Sequence, residues 1–100
     1  SAVVSEVIKQ IESHSLDVSY YHLRTLDVRE IDLLIELEHG YIALEIKTSV
    51  KVTESDARHL FHLDSILDKP LLQALLVSND QRVQFWETVT AVPVAWLLSN

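Results

Sequence analysis

Asp32, Glu45 and Lys47 are the residues whose types and spacing fit metal-assisted chemistry on a phosphate. They sit in two stretches that alternate apolar and polar side chains. In the first, Ile31, Leu33, Ile35 and Leu37 oppose Glu30, Asp32, Leu34, Glu36 and Glu38; in the second, Ile42, Leu44, Ile46 and Thr48 oppose Tyr41, Ala43, Glu45 and Lys47. A period of two predicts strands over 30–38 and 41–48, and His39-Gly40 between them predicts a two-residue hairpin loop. In that register 38 pairs with 41, 36 with 43, 34 with 45 and 32 with 47. Asp32, Glu45 and Lys47 then share one face, whereas a slip of one residue would send Asp32 to the other.

Two carboxylates about 4 Å apart repel by roughly 4 kcal/mol at an effective dielectric of 20. A divalent cation relieves that repulsion, and Mg²⁺ commonly takes one or two carboxylates and completes its shell with water and substrate phosphate. Such an ion acidifies a water and stabilises charge on the phosphate. Lys47, two residues beyond Glu45 on the same face, is spaced to orient that water or to neutralise the phosphate. The plainer alternative is an ordinary cross-strand ion pair between Asp32 and Lys47, worth ~0.2–1 kcal/mol. His59 and His62 lie one helical turn apart, but two histidines without a third ligand nearby in sequence make a weak zinc motif.

The hairpin needs elements around it. Val3, Val4, Val7, Ile8 and Ile11 recur at helical spacing and predict an amphipathic helix over 2–14. Tyr20, Tyr21 and Leu23 mark a strand from Ser19 to Thr25. Thr53 followed by Asp56 resembles a capping box and predicts a helix to about Leu67, with an apolar stripe of Ala57, Leu60, Phe61 and Leu63 or Leu67 and Ile66 beside it; Leu60, Phe61 and Leu67 are expected to pack on the sheet face away from Asp32, Glu45 and Lys47. Lys69-Pro70 ends that helix. The apolar run from Leu71 to Ser78 reads as a strand buried on both faces. Asn79-Asp80 turns into a last strand, Arg82 to Glu87, and Pro93 opens a short apolar turn or helix through Leu98. The expected order is α-β-β-β-α-β-β-α around a mixed central sheet. Tyr20, Tyr21, Phe61, Phe85, Trp86 and Trp96 read as core or partner-facing apolar mass.

One hundred residues, 48% hydrophobic with one glycine and two prolines, make one α/β domain with short turns. With no cysteine, disulfides and thiolate metal sites are excluded, which fits a reducing cytoplasm. Uncharged runs of at most thirteen residues fall short of the ~20 that a membrane span needs. There is no methionine, so the expectation is a piece excised from a longer protein. Fifteen acidic against eight basic residues give a net charge of −7, which opposes contact with a phosphate backbone.

Asp32 followed by Glu45-Ile46-Lys47 on the next strand resembles the PD-(D/E)XK nuclease superfamily, with Ile31-Asp32 in place of Pro-Asp. The opening helix with Glu6 resembles that superfamily's acidic first motif. Tyr20-Tyr21-His22-Leu23-Arg24-Thr25, Glu30-Ile31-Asp32 and Glu45-Ile46-Lys47-Thr48-Ser49 together look like the C-terminal domain of a family of bacterial and archaeal AAA-type ATPases. The resemblance runs from Glu6 to Leu98. It implies a single nuclease-like domain over 1–100 with a restriction-endonuclease-like core. It further implies Asp32, Glu45 and Glu6 as ligands of Mg²⁺ or Mn²⁺, with Asp32, Glu45 and Lys47 catalytic. The implied partners are nucleic acid and the protein's own upstream ATPase domain, with ATP bound only there, since no phosphate-binding glycine loop lies in this chain. The implied activity is metal-dependent cleavage of a DNA phosphodiester. The alternative is a silent interaction or regulatory module that keeps the fold.

Overall fold

The computed structural model describes residues 19–24 and 30–98. The expected helix over 2–14, and Glu6 with it, lie outside the described residues.

Six strands form one mixed sheet: β1 (Ser19–Arg24), β2 (Glu30–Leu37), β3 (Gly40–Ile46), β4 (Leu71–Ser78), β5 (Gln84–Trp86) and β6 (Val89–Pro93), in the spatial order β1-β2-β3-β4-β6-β5. The pairs β1–β2, β2–β3 and β5–β6 are antiparallel, while β3–β4 and β4–β6 are parallel. β4 thus lies between two parallel neighbours. Its second half is buried on both faces, Ala74 and Leu76 in one cluster and Val77 in the other, as its apolar run predicts.

From Leu33 to Leu44 the hairpin keeps its predicted parity but not its register. Leu37 pairs with Gly40 and Leu33 with Leu44, so the loop is Glu38-His39 and every partner is two residues removed from expectation. Gly40 is not a turn glycine. A Cβ there would lie 2.5 Å from the Pro70 carbonyl oxygen and 2.6 Å from the Leu72 side chain. The absent side chain lets the start of β4 approach β3, where the Tyr41 N–H donates to that carbonyl at 2.8 Å.

The segment after β3 departs from the expected helix. Two short 3₁₀ segments, Glu54–Ala57 and Leu63–Ile66, are joined by turns. The backbone bonds Asp56→Thr53, Arg58→Ser55, Leu60→Ala57, Ser65→His62 and Leu67→Asp64 all span three residues. With three residues per turn the buried stripe is Ala57, Leu60 and Leu63, each 0% exposed. Phe61 and Leu67 are only partly buried against the same cluster. His62, at φ 57° in the left-handed region, separates the two segments and prevents one continuous helix. The Thr53 N–H donates to the Asp56 carboxylate at 2.8 Å, so the acidic half of the capping box is present.

A second correction concerns layer order. Leu60 and Leu63 cluster with Leu34, Tyr41, Ala43, Ala74 and Leu76, the face that carries Glu45. The opposite cluster of Leu33, Ile35, Leu44 and Val77 takes Val94 and Leu97 of the closing helix, Val94–Leu98, which follows Pro93 as expected. Ile31 joins the first cluster rather than the odd-numbered set. The β1–β2 register shifts between Tyr21↔Leu34 and Leu23↔Ile31, inserting one extra residue into β2, and a bulge reverses side-chain parity.

The expected last strand over Arg82 to Glu87 is the shorter β5, and β6 follows it as a further strand that was not expected. Glu87, at φ 52°, makes the turn between them, so the order of described elements is β-β-β, two 3₁₀ segments, β-β-β and α. Phe85 and Trp96 are exposed, while Trp86 packs on the first cluster.

Candidate active site

The carboxyl ends of β3, β4 and β6 point the same way, and open α/β sheets commonly place ligands beyond such ends. Glu45 lies there on the face covered by the 3₁₀ segments, with only 6% of its surface exposed. Lys47 Nζ stands 3.7 Å from Glu45 Oε1, and His59 Nδ1 reaches the same oxygen at 3.6 Å from the covering segment. Glu45 Oε2 is buried and has no hydrogen-bond partner among the described residues. Burial raises the Glu45 pKa above its ordinary value; Lys47 and His59 oppose that rise, the nearby charge of Asp32 adds to it, and Arg58 opposes it weakly.

Asp32 reaches this end of the sheet by leaving the ladder. The β2–β3 ladder runs from Leu33, opposite Leu44, to Leu37, opposite Gly40, and stops short of Asp32 and Ile46. The Asp32 carboxylate takes the Ile46 N–H, at 2.7 Å to Oδ2. Asp32 therefore does not face Lys47, as the expected register had it, and Glu45 rather than Asp32 contacts the lysine. The three residues still meet at one end of β3.

A second buried carboxylate fixes the neighbouring loop. Asp80, just past β4, accepts from the Val52 N–H at 3.0 Å and from Arg82 through N, Nε and Nη2 at 2.9, 3.0 and 2.7 Å. Its pKa is held far below the usual carboxylate range, chiefly by the Arg82 side chain and then by backbone N–H donors. Lys47 N–H→Val77 O, Asn79 N–H→Ser49 O and Asn79 Nδ2→Thr48 O tie residues 47–52 to the end of β4.

Among the described residues no three His, Asp or Glu side chains form a ready cage for a metal. The residues here still fit a weakly held divalent cation. The charge of Asp32 reaches Glu45, one oxygen of Glu45 is buried without a partner among the described residues, and Mg²⁺ ordinarily asks little more of a protein when phosphate and water complete its shell. His59 and His62 do not form a zinc pair: His59 contacts Glu45 while His62 is exposed in its left-handed turn.

A family model described as "Domain of unknown function (DUF4143)" matches residues 1–97. The chain belongs to the DUF4143 family. No curated protein and no solved structure matches it. Among the described residues of this DUF4143 domain no helix is long and apolar enough to cross a membrane.

Sequence reasoning placed Asp32, Glu45 and Lys47 together in this DUF4143 chain but missed His59 as their neighbour. The signal was present in a different form. Once Ala57, Leu60 and Leu63 are read with a period of three, His59 falls beside the buried stripe rather than opposite it.

Proposed function

We propose that this DUF4143 domain is a nuclease-like module, with a restriction-endonuclease-like core, that cleaves a phosphodiester of DNA with the help of Mg²⁺ or Mn²⁺. The observation that carries the reading is the Glu45 carboxylate: buried, raised in pKa, and with one oxygen that no described residue hydrogen-bonds, near a second carboxylate and a lysine. An orphaned buried oxygen calls for an explanation, and an ion is one that also relieves the Asp32–Glu45 repulsion.

In this reading Asp32 and Glu45 hold the cation, with Glu6 as a third acid. The bound ion lowers the pKa of a water and draws charge off the phosphate. Asp32 accepts the Ile46 N–H, so one ligand is fixed to the backbone of the strand that bears the other. Lys47, with an aliphatic stem and a partly exposed ammonium, turns from Glu45 to the phosphate oxygens as negative charge builds there. The upstream partner is an ATPase domain of the same protein, which carries the ATP site.

A second reading is a silent interaction or regulatory module. It is favoured by the net charge of −7 and by the engagement of Asp32 with the backbone. Titration with Mn²⁺ followed by thermal unfolding, alongside incubation with double-stranded DNA, separates the two. The catalytic reading expects weak Mn²⁺ binding by the unmodified domain, lost in Asp32→Ala, and cleavage abolished in Lys47→Ala while metal binding survives. No stabilisation even at millimolar Mn²⁺ leaves the silent module.

A further inference from the structure

We propose that His59 is a positioning residue for Glu45, holding one oxygen of its carboxylate so that the other is kept for a ligand. The inference rests on reading Asp32, Glu45 and Lys47 as the active site, and names the group that keeps the site in order.

Contacts to Glu45 are lopsided. Lys47 Nζ and His59 Nδ1 both approach Oε1, at 3.7 and 3.6 Å, and Oε2 receives no hydrogen bond from the described residues. The two nitrogens differ in how they are held. Lys47 sits at the end of a flexible stem on the strand of Glu45 itself, and its role in phosphate binding requires it to leave Oε1. His59 comes from the layer above, where its neighbours Ala57 and Leu60 are fully buried and joined by a 2.9 Å backbone bond. Only two side-chain torsions separate that fixed backbone from the imidazole. When Lys47 turns to substrate, His59 is the contact that stays and keeps Glu45 from rotating. Groups of this kind behind a metal-binding carboxylate typically change metal affinity about 10–100-fold when removed.

Selective ¹³C labelling of glutamate carboxyl carbons tests this without metal or substrate. The Glu45 resonance is identified by its loss in Glu45→Gln. His59→Ala is expected to shift or broaden it, and so is His59→Gln, whose amide reaches the level of Nε2. His59→Asn, whose amide nitrogen stands near the place of Nδ1, is expected to preserve it. In parallel, the Mn²⁺ dissociation constant should rise about 10-fold or more in His59→Ala and His59→Gln, and by less than about threefold in His59→Asn. A Glu45 resonance unchanged in all three variants, or an Asn variant no better than the Gln variant, overturns the proposal. If His59→Ala fails to fold, the Asn and Gln pair carries the comparison alone. Should the unmodified domain bind no Mn²⁺, the metal reading falls, and the carboxyl resonance still decides whether His59 positions Glu45.

Discussion

Asp80 and Glu45 stand near the carboxyl ends of neighbouring parallel strands, and both are shielded from water, at 2% and 6% exposure. They are opposites in every other respect. Asp80 accepts close hydrogen bonds on both oxygens from a backbone N–H of the β3–β4 connection and from an arginine, and its pKa falls. Among the described residues Glu45 has two ion contacts longer than 3.5 Å on one oxygen and none on the other, and its pKa rises. Burial alone therefore does not define a carboxylate's role. A satisfied acid such as Asp80 holds chain segments together, whereas an unsatisfied one such as Glu45 keeps capacity for something that is not yet there.

The sharpest way to break this contrast is to remove each acid. Asp80→Ala leaves the Val52 N–H and Arg82 without their partner, and the thermal midpoint should fall by at least about 8 °C, the upper shift for 1 kcal/mol in a domain this size. Glu45→Gln should do the reverse at neutral pH. It removes a desolvated charge while keeping the shape, and a rise of about 4 °C is expected. A midpoint that drops in both variants would mean that Glu45 is as structural as Asp80.

Denaturant midpoints between pH 3 and pH 8 sharpen the same point. A carboxylate whose pKa is depressed on folding stabilises above its unfolded value, and Asp80 loses that contribution as pH falls through the unfolded value near 3.8 and below. Glu45 is raised on folding, so its contribution is present below the unfolded value near 4.5 and is lost as pH rises through the higher folded value. Glu45→Gln should flatten the decline above pH 4.5, and Asp80→Asn should weaken the acid-side loss. Unchanged slopes in the glutamine variant would remove the desolvation argument.

The smallest effect is expected from Lys47→Met. The lysine is partly exposed, so its loss should cost under about 1 kcal/mol while pushing the Glu45 pKa higher still. A larger loss would make the Lys47–Glu45 contact a structural pair.

How much of this was readable beforehand depended on which physical signal each segment carried. The strands β2, β3 and β4 announce themselves because alternation and continuous apolar runs are direct records of burial. Parity survived the register error, since moving the loop from His39-Gly40 to Glu38-His39 shifts each pair by two and leaves faces unchanged. Gly40 misled because a glycine kept for close approach looks in sequence like one kept for a turn. The bulge at Asp32-Leu33 left no mark, so the departure of Asp32 toward Ile46 could not be anticipated. The segment over 53–66 was misread because 3₁₀ and α stripes share the three-residue step. The β5–β6 turn was hidden because Glu87 adopts a left-handed backbone with none of the usual turn residues.

The stitching of residues 47–52 to the end of β4 also sets an order of events during synthesis. Val52 meets Asp80 and Ser49 meets Asn79 across about thirty residues of chain, and parallel pairing of β3 with β4 must precede both. Contacts this distant form late, because loop closure has to be paid before they give anything back. A ribosome that has released only the β2–β3 hairpin has made Asp32, Glu45 and Lys47 without the anchor that shapes their surroundings. A growing chain thus carries its acids well before it carries the Asp80–Arg82 anchor beside them.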